Sequence, residues 1–576
     1  MKEPVIVLKF GSSVLRSSAD LPTVVHEIYR WYRDGFRVIA VVSAIGSATE
    51  SLLRQARELS ASPEPWATAE LLATGERTSA ALIGIALDRA GIRARVVNPR
   101  EIGLRVAGAP LDGEPVEVSV PHTRELLDQN PVLVVPGFFG TDAAGRTQLL
   151  GRGGSDLSAI FLSCALGARC RLVKDVDGVY EVDPAAVNAH PRRFAQLHYT
   201  DALRVAGKLI QPKAVAYLQA HHASCEVSAL TLPYQTIVHG GETTLAGGGV
   251  GSALADAPLD VVLLGCGTVG FGVYQRLRAL HGFFRIAGVL VRDIAKHEAA
   301  GIPRELLHTR VESLESLRPA LLVDALPGIE PSYTLIKTSL RRGVHVVSAN
   351  KAVIAEHGGE LRRISQEGGE RLAYSAAVGG SAPLLEAADR LMADGSGNSL
   401  TAVINGTCNF VLDACALGAP LADAIAEAQR LGFAELDPSD DLSGRDAARK
   451  LGILIRHAFG VEPPAISVQP LDERIAAAAL DAARSGDRLR QVARAGIQRG
   501  SIEAAVAFER LPAGSALASL RNEWNGLVSA NAPAKLLSGR GAGRWPTTEA
   551  MVADCLDVVR LIRTAVKPRR AREQAL

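Results

Sequence analysis

The chain has 576 residues, 63 Lys and Arg against 61 Asp and Glu, a formal net charge of +2, and 47% hydrophobic residues. At roughly 150 residues per domain, this length predicts about four domains. The composition is globular rather than disordered, and the balanced charge excludes a protein built to bind nucleic acid or another polyanion.

The cysteines and the apolar runs indicate the cellular compartment. The seven cysteines form no CxxC pair and show none of the spacings that hold zinc. No run reaches about 18 apolar residues, and the stretch Val5–Leu8 is too short for a secretory signal. We therefore expect a cytoplasmic protein with no membrane partner, ending in a solvated basic tail over residues 567–576.

Apolar, β-branched runs alternate with helical patterns from the start of the chain. Strands are predicted at Val5–Phe10, Phe36–Val42, Val132–Val135 and Arg171–Val173, and a helix at Asp20–Arg33. Such alternation is typical of α/β layers with a largely parallel sheet.

A glycine-rich stretch, His239–Gly251, interrupts this rhythm before a new strand at Asp260–Leu264. We predict a linker over residues 239–258. The second half restarts with a strand, a glycine turn and a helix, and its later part contains Ala/Leu/Arg-rich stretches such as Leu471–Arg494, which are predicted to be helical.

The glycine turn of the second half follows the strand directly and opens a helix. Gly265 permits a tight turn, Gly267 lets the backbone approach a pyrophosphate, and Gly270 allows close helix–strand packing. Together with Thr268 and Val269, these residues predict a dinucleotide-binding turn at a helix N-terminus. The alternative is a tight βα turn without a ligand.

The next predicted strand, Arg285–Val291, ends in Arg292 and Asp293. Arg292 could bind the 2′-phosphate of NADPH, whereas Asp293 could accept a ribose hydroxyl of NADH. We favour NADPH and leave NADH as the alternative.

A later strand, Val344–Val347, is followed by Asn350 and Lys351, which places both beyond a strand's carboxyl end, where open α/β sheets bind ligands. Without other signals, Lys351 could simply open a helix. Further on, a group of carboxylates precedes a helix on which Asp446 and Lys450 lie four residues apart, hence on one face.

Alone, that pair could be a surface ion pair. The carboxylates could also hold a substrate ammonium group, and a lysine beside a carbonyl oxygen could protonate it as hydride arrives. The pattern therefore favours a carbonyl reductase for an amino-acid-like substrate.

From about Asp260 to Val566 the order of motifs GCGTVG, SANKAV, AAVGG, NGTCNF, GFAELDPSDDLSGRDAARK and GRGAG resembles homoserine dehydrogenases. The resemblance implies NADPH-dependent reduction of aspartate β-semialdehyde to homoserine, with Lys450 as general acid and Lys351 as a second active-site lysine. It further implies substrate contacts or organising carboxylates at Glu435, Asp441, Asp446, Gly406 and Thr407, and a loop at Gly541 that returns to the cofactor. A dehydrogenase for a related amino-acid aldehyde is the alternative.

One position departs from this family's pattern. A glutamate that helps to build a monovalent-cation site usually precedes AAVGG, and Ser375 stands there instead. Backbone carbonyls of Val378, Gly380 and Ala382 could still contribute, so a monovalent cation is an open expectation.

The first half combines a strand bearing Lys9 with a small-residue turn, and later a glycine turn in which Arg152 could bind carboxylate or phosphate before a helix that starts near Ser155 and Asp156. Each piece alone could be an ordinary turn with a helix cap. Because these pieces follow one another in this order, ordinary turns with helix caps do not explain them well.

From about Pro4 to Leu230 the motifs KFGSSV, VVSAIGSATESLL, LLATGERTSAAL, GRGGSDLSA, VKDVDGVYEVDP and AGKLIQPKA resemble aspartate kinases of the amino-acid-kinase fold. The resemblance implies ATP with Mg²⁺ and the following roles: Lys9 and Gly11 at the transferring phosphate, Ser43, Thr49, Glu76 and Arg152 at aspartate, Ser155 and Asp156 at the phosphoryl centre, and Asp175, Tyr180 and Lys208 at the nucleotide. The chain departs from the usual pattern at Ser12–Val14, at Lys174, where Thr is usual, and at Gln211.

We thus expect an amino-acid-kinase-like domain (1–238), a Rossmann domain (259–375) and an α+β catalytic and dimerisation domain (376–566). The expected enzyme is bifunctional, acts on aspartate, aspartate semialdehyde and homoserine, and forms a homo-oligomer. The alternative is a dehydrogenase whose kinase-like half is a ligand-binding or oligomerisation module. Only about thirty residues separate Leu230 from Val261, so no regulatory ACT pair is expected between the halves.

Overall fold

The computed structural model describes residues 4–182, 191–207, 209–232, 234–246, 257–314, 316–393, 398–528 and 536–573, the last ten without their side chains. The chain divides into two compact units. The first unit extends to Ala257, without Ala90–Ile92, and includes the chain from Arg560 onward; the second comprises Ala90–Ile92 and Pro258–Val559.

The first unit is built on a nine-stranded sheet and a four-stranded sheet. Its strands are β1 (Val5–Phe10), β2 (Arg37–Val42), β3 (Ala94–Val96), β4 (Arg105–Ala109), β5 (Asp112–Glu117), β6 (Val132–Pro136), β7 (Phe139–Thr141), β8 (Thr147–Leu149), β9 (Arg169–Lys174), β10 (Phe194–His198), β11 (Cys225–Ala229), β12 (Thr236–His239) and β13 (Thr244–Leu245). Its helices are α1 (Leu21–Arg33), α2 (Ala48–Leu59), α3 (Pro65–Arg89), α4 (Val120–Gln129), α5 (Gly154–Leu166), α6 (Tyr199–Val205) and α7 (Pro212–Ala220).

The large sheet has the order β13-β10-β12-β11-β9-β1-β2-β6-β3, and β1 pairs in parallel with both β2 and β9. Its central strands are almost wholly buried, as expected for a parallel sheet with helices on both faces. The carboxyl ends of β1, β2, β6 and β9 therefore meet at one edge of the sheet.

The second unit contains two six-stranded sheets. Its strands are β14 (Leu259–Leu264), β15 (Phe284–Leu290), β16 (Leu307–His308), β17 (Leu321–Asp324), β18 (His345–Ser348), β19 (Leu372–Ala373), β20 (Ser399–Val403), β21 (Ser467–Val468), β22 (Asp487–Gln498), β23 (Ser501–Pro512), β24 (Trp524–Val528) and β25 (Leu536–Arg540). Its helices are α8 (Thr268–Ala279), α9 (Ile294–Ala299), α10 (Ser332–Arg341), α11 (Lys351–Gly368), α12 (Ala376–Gly379), α13 (Leu384–Ala393), α14 (Gly406–Ala416), α15 (Leu421–Arg430), α16 (Ser439–Leu442), α17 (Arg445–Phe459), α18 (Glu473–Arg484) and the start of α19 (Arg544–Glu573).

The sheet β16-β15-β14-β17-β18-β19 is parallel throughout, as in a Rossmann fold. The second sheet, β21-β23-β22-β20-β24-β25, is mostly antiparallel and packs with α13 and α17 in one hydrophobic core. The predicted α/β class, with Rossmann and α+β parts in the second half, is confirmed.

The predicted helix Leu471–Arg494 is wrong in its second part. Helix α18 ends at Arg484, Gly486 takes a positive φ of 78°, and β22 begins at Asp487. Arg490 is buried in this strand and donates to Asp413 Oδ1 at 2.9 Å. A buried, paired arginine disguised the strand pattern.

The start of the predicted linker and the predicted tail differ from expectation. Strand β13 (Thr244–Leu245) lies within the linker range but pairs with β10, and residues 247–256 lie outside the described part. The backbone of the basic stretch from Lys567 continues α19 to Glu573. Within the described residues, no helix combines the length and apolarity needed to cross a membrane.

Candidate active sites

The glycine turn between β14 and α8 has the geometry of a dinucleotide-binding turn. Gly265 adopts a φ of +84°, and a Cβ on Gly270 would lie 2.1 Å from the Gly265 carbonyl oxygen. A Cβ on Gly267 would meet no atom within 4 Å, and no side chain caps α8. The open space and the uncapped N–H groups fit a pyrophosphate.

Two loops meet beside this turn. The exposed Arg292 follows β15, and Asp293 caps α9 by accepting from the backbone N–H of Lys296 at 3.0 Å. The ring nitrogens of His297 lie 2.6 Å from the Asp293 carbonyl oxygen and 2.8 Å from that of Cys266. Sequence reasoning missed His297, which links the glycine turn to the loop bearing Arg292.

Asn350 lies after β18, as predicted, and caps α11 by accepting from the Val353 N–H at 3.2 Å. Its side-chain amide donates to the carbonyls of Leu326 and Gly328 at 3.0 and 2.6 Å. Asn350 therefore holds together two loops at the carboxyl edge of the Rossmann sheet, and Lys351 begins the helix beside it.

A buried carboxylate joins the two predicted lysines. Asp446 contacts Lys351 Nζ through Oδ1 and Lys450 Nζ through Oδ2, the latter at 3.0 Å. Lys450 also donates to the carbonyl oxygen of Ile404 at 2.8 Å. Burial would raise the pKa of Asp446, but Lys450 and Lys351 hold it well below its usual range. The predicted pair Asp446–Lys450 is thus an internal ion pair.

Asn405 connects this centre to a second carboxylate. Its amide nitrogen donates to Asp441 Oδ1 at 2.7 Å and to Asp446 Oδ2 at 3.2 Å, while its oxygen caps α14. Thr407 Oγ1 lies 3.1 Å from Asp441 Oδ2 and 2.8 Å from the Phe433 carbonyl oxygen, and its single proton is shared between these two acceptors. Burial raises the pKa of Asp441, against the hydrogen bonds from Asn405 and Thr407.

Asn405 was not predicted as a site residue. It is the first residue of NGTCNF, and an Asn immediately before a helical pattern is an N-cap signal. Gly406 begins α14, and a Cβ there would lie 2.7 Å from Glu523 Cα, so this turn tolerates no side chain. Glu435 is not brought into the centre: its side chain is exposed, and its carbonyl accepts from Gln429 Nε2 at 3.1 Å.

The segment from Gly541 into the first turns of α19 returns to the Rossmann part, as expected, whereas the chain from Arg560 onward belongs to the first unit. The Gly541 N–H donates to the Glu523 carbonyl at 2.7 Å, and α19 then packs on α8 through Glu549 and Arg276, whose Nε donates at 2.9 Å.

The predicted cation position lies on the turn around α12. The Ala382 carbonyl already accepts from the Leu384 N–H at 2.8 Å, and Gly380 has a φ of +55°. The hydroxyl oxygen of Ser375, where a glutamate is usual, lies 2.8 Å from Glu386 Oε1 and 3.0 Å from Asp554 Oδ1, and its single proton is donated to one of them. Among the described side chains, no His, Cys, Asp and Glu group of three or more is arranged for a metal. A cation at Val378, Gly380 and Ala382 remains a prediction.

In the first unit, Lys9 and Asp156 form a buried ion pair of 2.7 Å. Lys174 Nζ approaches the same carboxylate, at 3.1 Å from Oδ2. Burial opposes ionisation of Asp156, but the two lysines keep its pKa below its usual value. Burial, together with Lys174 and against Asp156, lowers the pKa of Lys9.

Helix α5 points its N-terminus at this pair. It begins after Gly153, which has a φ of +77° and, as a glycine, carries no capping side chain. Ser155 in its first turn accepts from Ser43 Oγ at 2.9 Å, and a Cβ on Gly11 would lie 2.7 Å from Lys9 Nζ. An uncapped helix end beside a lysine fits a phosphate group.

Glu76 lies buried in α3. Burial raises its pKa to about 7, although a hydrogen bond from the Ala44 N–H and the charge of Lys9 oppose the rise. A carboxyl of this kind is suited to bind an ammonium group, which would restore its ionisation.

The remaining predicted kinase residues are less closely joined to the centre. Arg152 and Asp175 are exposed and Thr49 is half-buried. Tyr180 is buried and donates to Asp177 Oδ1 at 2.7 Å. Lys208 lies outside the described residues.

Comparisons with known proteins agree with this division. Residues 4–228 match the model of the amino acid kinase family, residues 265–375 that of the homoserine dehydrogenase NAD binding domain, and residues 383–556 that of homoserine dehydrogenase. The architecture is therefore that of an NAD(P)-dependent dehydrogenase joined to an amino acid kinase domain.

Individual relatives identify the kind of dehydrogenase more closely. The homoserine dehydrogenase of Corynebacterium glutamicum is 33% identical over 54% of this chain and 74% of that protein. A crystal structure of a homoserine dehydrogenase from Thiobacillus denitrificans matches with a TM-score of 0.50 and 32% identity, over 53% of this chain and 74% of that one. The chain belongs to the homoserine dehydrogenase family. Its first half is similar to the aspartokinase of Thermus thermophilus, at 34% identity over 38% of this chain and 54% of that protein.

Proposed function

We propose that the second unit catalyses the NADPH-dependent reduction of aspartate β-semialdehyde to homoserine. The observation that carries this proposal is the buried Asp446, which holds Lys351 and Lys450 together at the edge of the α+β part. A reductase for an amino-acid aldehyde needs a proton donor at the aldehyde and anionic groups for the ammonium, and this centre contains both.

The nicotinamide ring, when bound, supplies the hydride to the aldehyde carbon. The oxygen that gains charge must then receive a proton, and Lys450 Nζ is the donor we propose. Two of its three N–H groups are directed by the Ile404 carbonyl and Asp446, which leaves the third for the substrate oxygen. Asp441 and Thr407 would bind the substrate's ammonium group.

The residues around the glycine turn fit NADPH. Arg292 is exposed beside the turn, where a 2′-phosphate would need a cation, and Oδ1 of the competing Asp293 already serves as a helix cap. We therefore propose NADPH as the preferred cofactor.

We propose that the first unit phosphorylates the β-carboxylate of aspartate. A carboxylate oxygen forms the new bond to the γ-phosphorus of ATP, and the bond to the bridging oxygen of ADP breaks. Lys9 and the N-terminus of α5 would neutralise the charge on the transferring group, and ionised Glu76 would bind the substrate ammonium. ATP would enter as its Mg²⁺ complex.

Three finer expectations belong to this proposal: a homo-oligomeric state, a cytoplasmic location and free small-molecule substrates. The reduction of aspartyl phosphate to the semialdehyde, which lies between the two reactions, would require another protein.

Assays of both reactions on one purified preparation test the proposal. We expect homoserine-dependent reduction of NADP, and aspartate-dependent release of ADP with an acyl phosphate that hydroxylamine traps. Absence of the first would overturn the dehydrogenase proposal. Absence of the second, with the first intact, would leave the first unit as a non-catalytic module.

A further inference from the structure

Lys174 is a buried lysine to which no role has been given so far. It is the last residue of β9, and Lys9 is the penultimate residue of the neighbouring parallel strand β1. Lys9 is opposite Leu172 in the register, so Lys174, two residues further, lies on the same face of the sheet. The strand geometry therefore directs two lysines toward one face, where α5 presents Asp156.

The group formed by Lys9, Lys174 and Asp156 contains two positive charges and one negative charge. Lys9 Nζ is 2.7 Å from Asp156 Oδ1, and Lys174 Nζ is 3.3 and 3.1 Å from its two oxygens. Two ammonium groups thus share one carboxylate, and all three side chains are buried. A buried charge without a counter-ion is costly, so this arrangement is expected to gain from an anion beside it.

Glu76 is a second carboxyl whose charge raises the pKa of Lys9. Its own pKa of about 7 leaves it only partly ionised at neutral pH, and aspartate's ammonium would occupy it in our proposal. The transferring phosphoryl group is then the anion best placed to receive the excess positive charge, because the uncapped end of α5 lies at the same edge.

We propose that Lys174 is a positioning residue of the kinase reaction, which shares Asp156 with Lys9 so that this carboxylate does not fully neutralise Lys9 and the group keeps a net positive charge for the transferring phosphoryl group. With an uncharged residue at position 174, Lys9 would be the only ammonium group paired with Asp156, and this carboxylate would neutralise it. This inference rests on the proposed kinase function of the first unit.

The test compares Lys174→Met, which removes the charge at similar length, with Lys174→Arg, which keeps a cation. For K174M we expect aspartate kinase kcat to fall on the order of 10-fold to 100-fold, as for loss of one charge-stabilising group, with little change in the KM for aspartate. K174R should lose clearly less. Arg124→Met, which removes a half-buried cation bonded to the Leu166 carbonyl, is the control in the same unit.

The pH profile of kcat at saturating aspartate separates positioning from simple structural support. Removing Lys174 deletes the like charge that lowers the Lys9 pKa, so the alkaline limb should move to higher pH in K174M and stay in place in K174R and R124M. Dehydrogenase activity of the same preparations reports whether the second unit is folded, and an unchanged KM for aspartate reports whether the first unit is folded.

A K174M enzyme with kcat within twofold of wild type, or with reduced kcat and an unmoved alkaline limb, would overturn the inference. If K174R does not fold, the position of the alkaline limb in the pH profile of K174M decides the test by itself. A wild-type protein without aspartate-dependent ADP release would instead refute the proposed kinase function, and this inference with it.

Discussion

Lys450 is the proton donor in the proposed dehydrogenase reaction. Changing it to Ala removes the proposed proton donor, so we expect dehydrogenase kcat to fall on the order of 10²-fold or more, while NADPH binding changes little. Steady-state kinetics and cofactor titration measure the two effects. Lys337→Ala, which removes a lysine paired with Glu360 elsewhere in the same unit, is the control. Near-normal turnover of K450A would exclude Lys450 from the mechanism.

Arg292 determines the cofactor preference in our proposal. Since only NADPH carries a 2′-phosphate, Arg292→Ala should weaken NADPH binding far more than NADH binding, as measured by fluorescence titration. Arg310→Ala removes another exposed arginine of the unit, one paired with Glu312, and should change neither. An equal loss of affinity for both cofactors would show that Arg292 does not contact the 2′-phosphate.

Glu76 gives the kinase a pH dependence. Its pKa of about 7 is raised by burial, and only the ionised carboxylate binds the aspartate ammonium. Kinase kcat/KM for aspartate should therefore fall as the pH decreases through about 7. The exposed Glu50 contributes to this elevation, so Glu50→Gln should move the limb to lower pH. A flat profile between pH 6 and about 8 in the wild type would contradict this role.

Among the elements, helix α14 is preceded by a residue that has two roles. Asn405 caps this helix and also donates to the carboxylates of Asp441 and Asp446. Asn405→Ala should lower the free energy of unfolding by about 1 kcal/mol through loss of the cap, and should also lower dehydrogenase kcat/KM because Asp441 and Asp446 lose a shared donor. Asp472→Ala removes the cap of α18 in the same unit and should reduce stability alone. Denaturant unfolding and kinetics of both variants check this, and unchanged kinetics in N405A would refute the connection.

The elements around both sites could be predicted because strand, glycine turn and helix follow each other directly in the chain. The glycines of the 265–270 turn, the strands β1 and β14 and the position of Lys351 all depend on such local order. What could not be predicted is how side chains from distant segments converge. Lys174 and Asn405 gain their significance only because sheet register and an N-cap direct them to Asp156 and Asp446.

Local patterns also misled where burial reversed them. The Ala/Leu/Arg-rich composition of Leu471–Arg494 predicted a helix throughout, yet its second part is strand β22, which buries Arg490 against Asp413. Glu435 belongs to the same run of carboxylates as Asp441 and Asp446, but its side chain is exposed. Sequence proximity alone does not distinguish a carboxylate that joins a buried centre from one that faces solvent.

For the molecule as a whole, we propose that one chain carries out two independent reactions. The centre Lys9–Asp156–Lys174 belongs to the first unit, and the centre Lys351–Asp446–Lys450 to the second. A substitution in either centre should therefore affect its own reaction and leave the other reaction unchanged, which shows that the other unit is folded.

The most direct test measures both reactions in parallel on the wild type, Asp156→Asn and Lys450→Ala. We predict that D156N loses aspartate-dependent ADP formation by on the order of 10²-fold or more and retains homoserine-dependent NADP reduction, and that K450A shows the opposite pattern. Loss of both activities in either variant, or a wild type with only one activity, would contradict the claim that this chain is a bifunctional enzyme with two separate active sites.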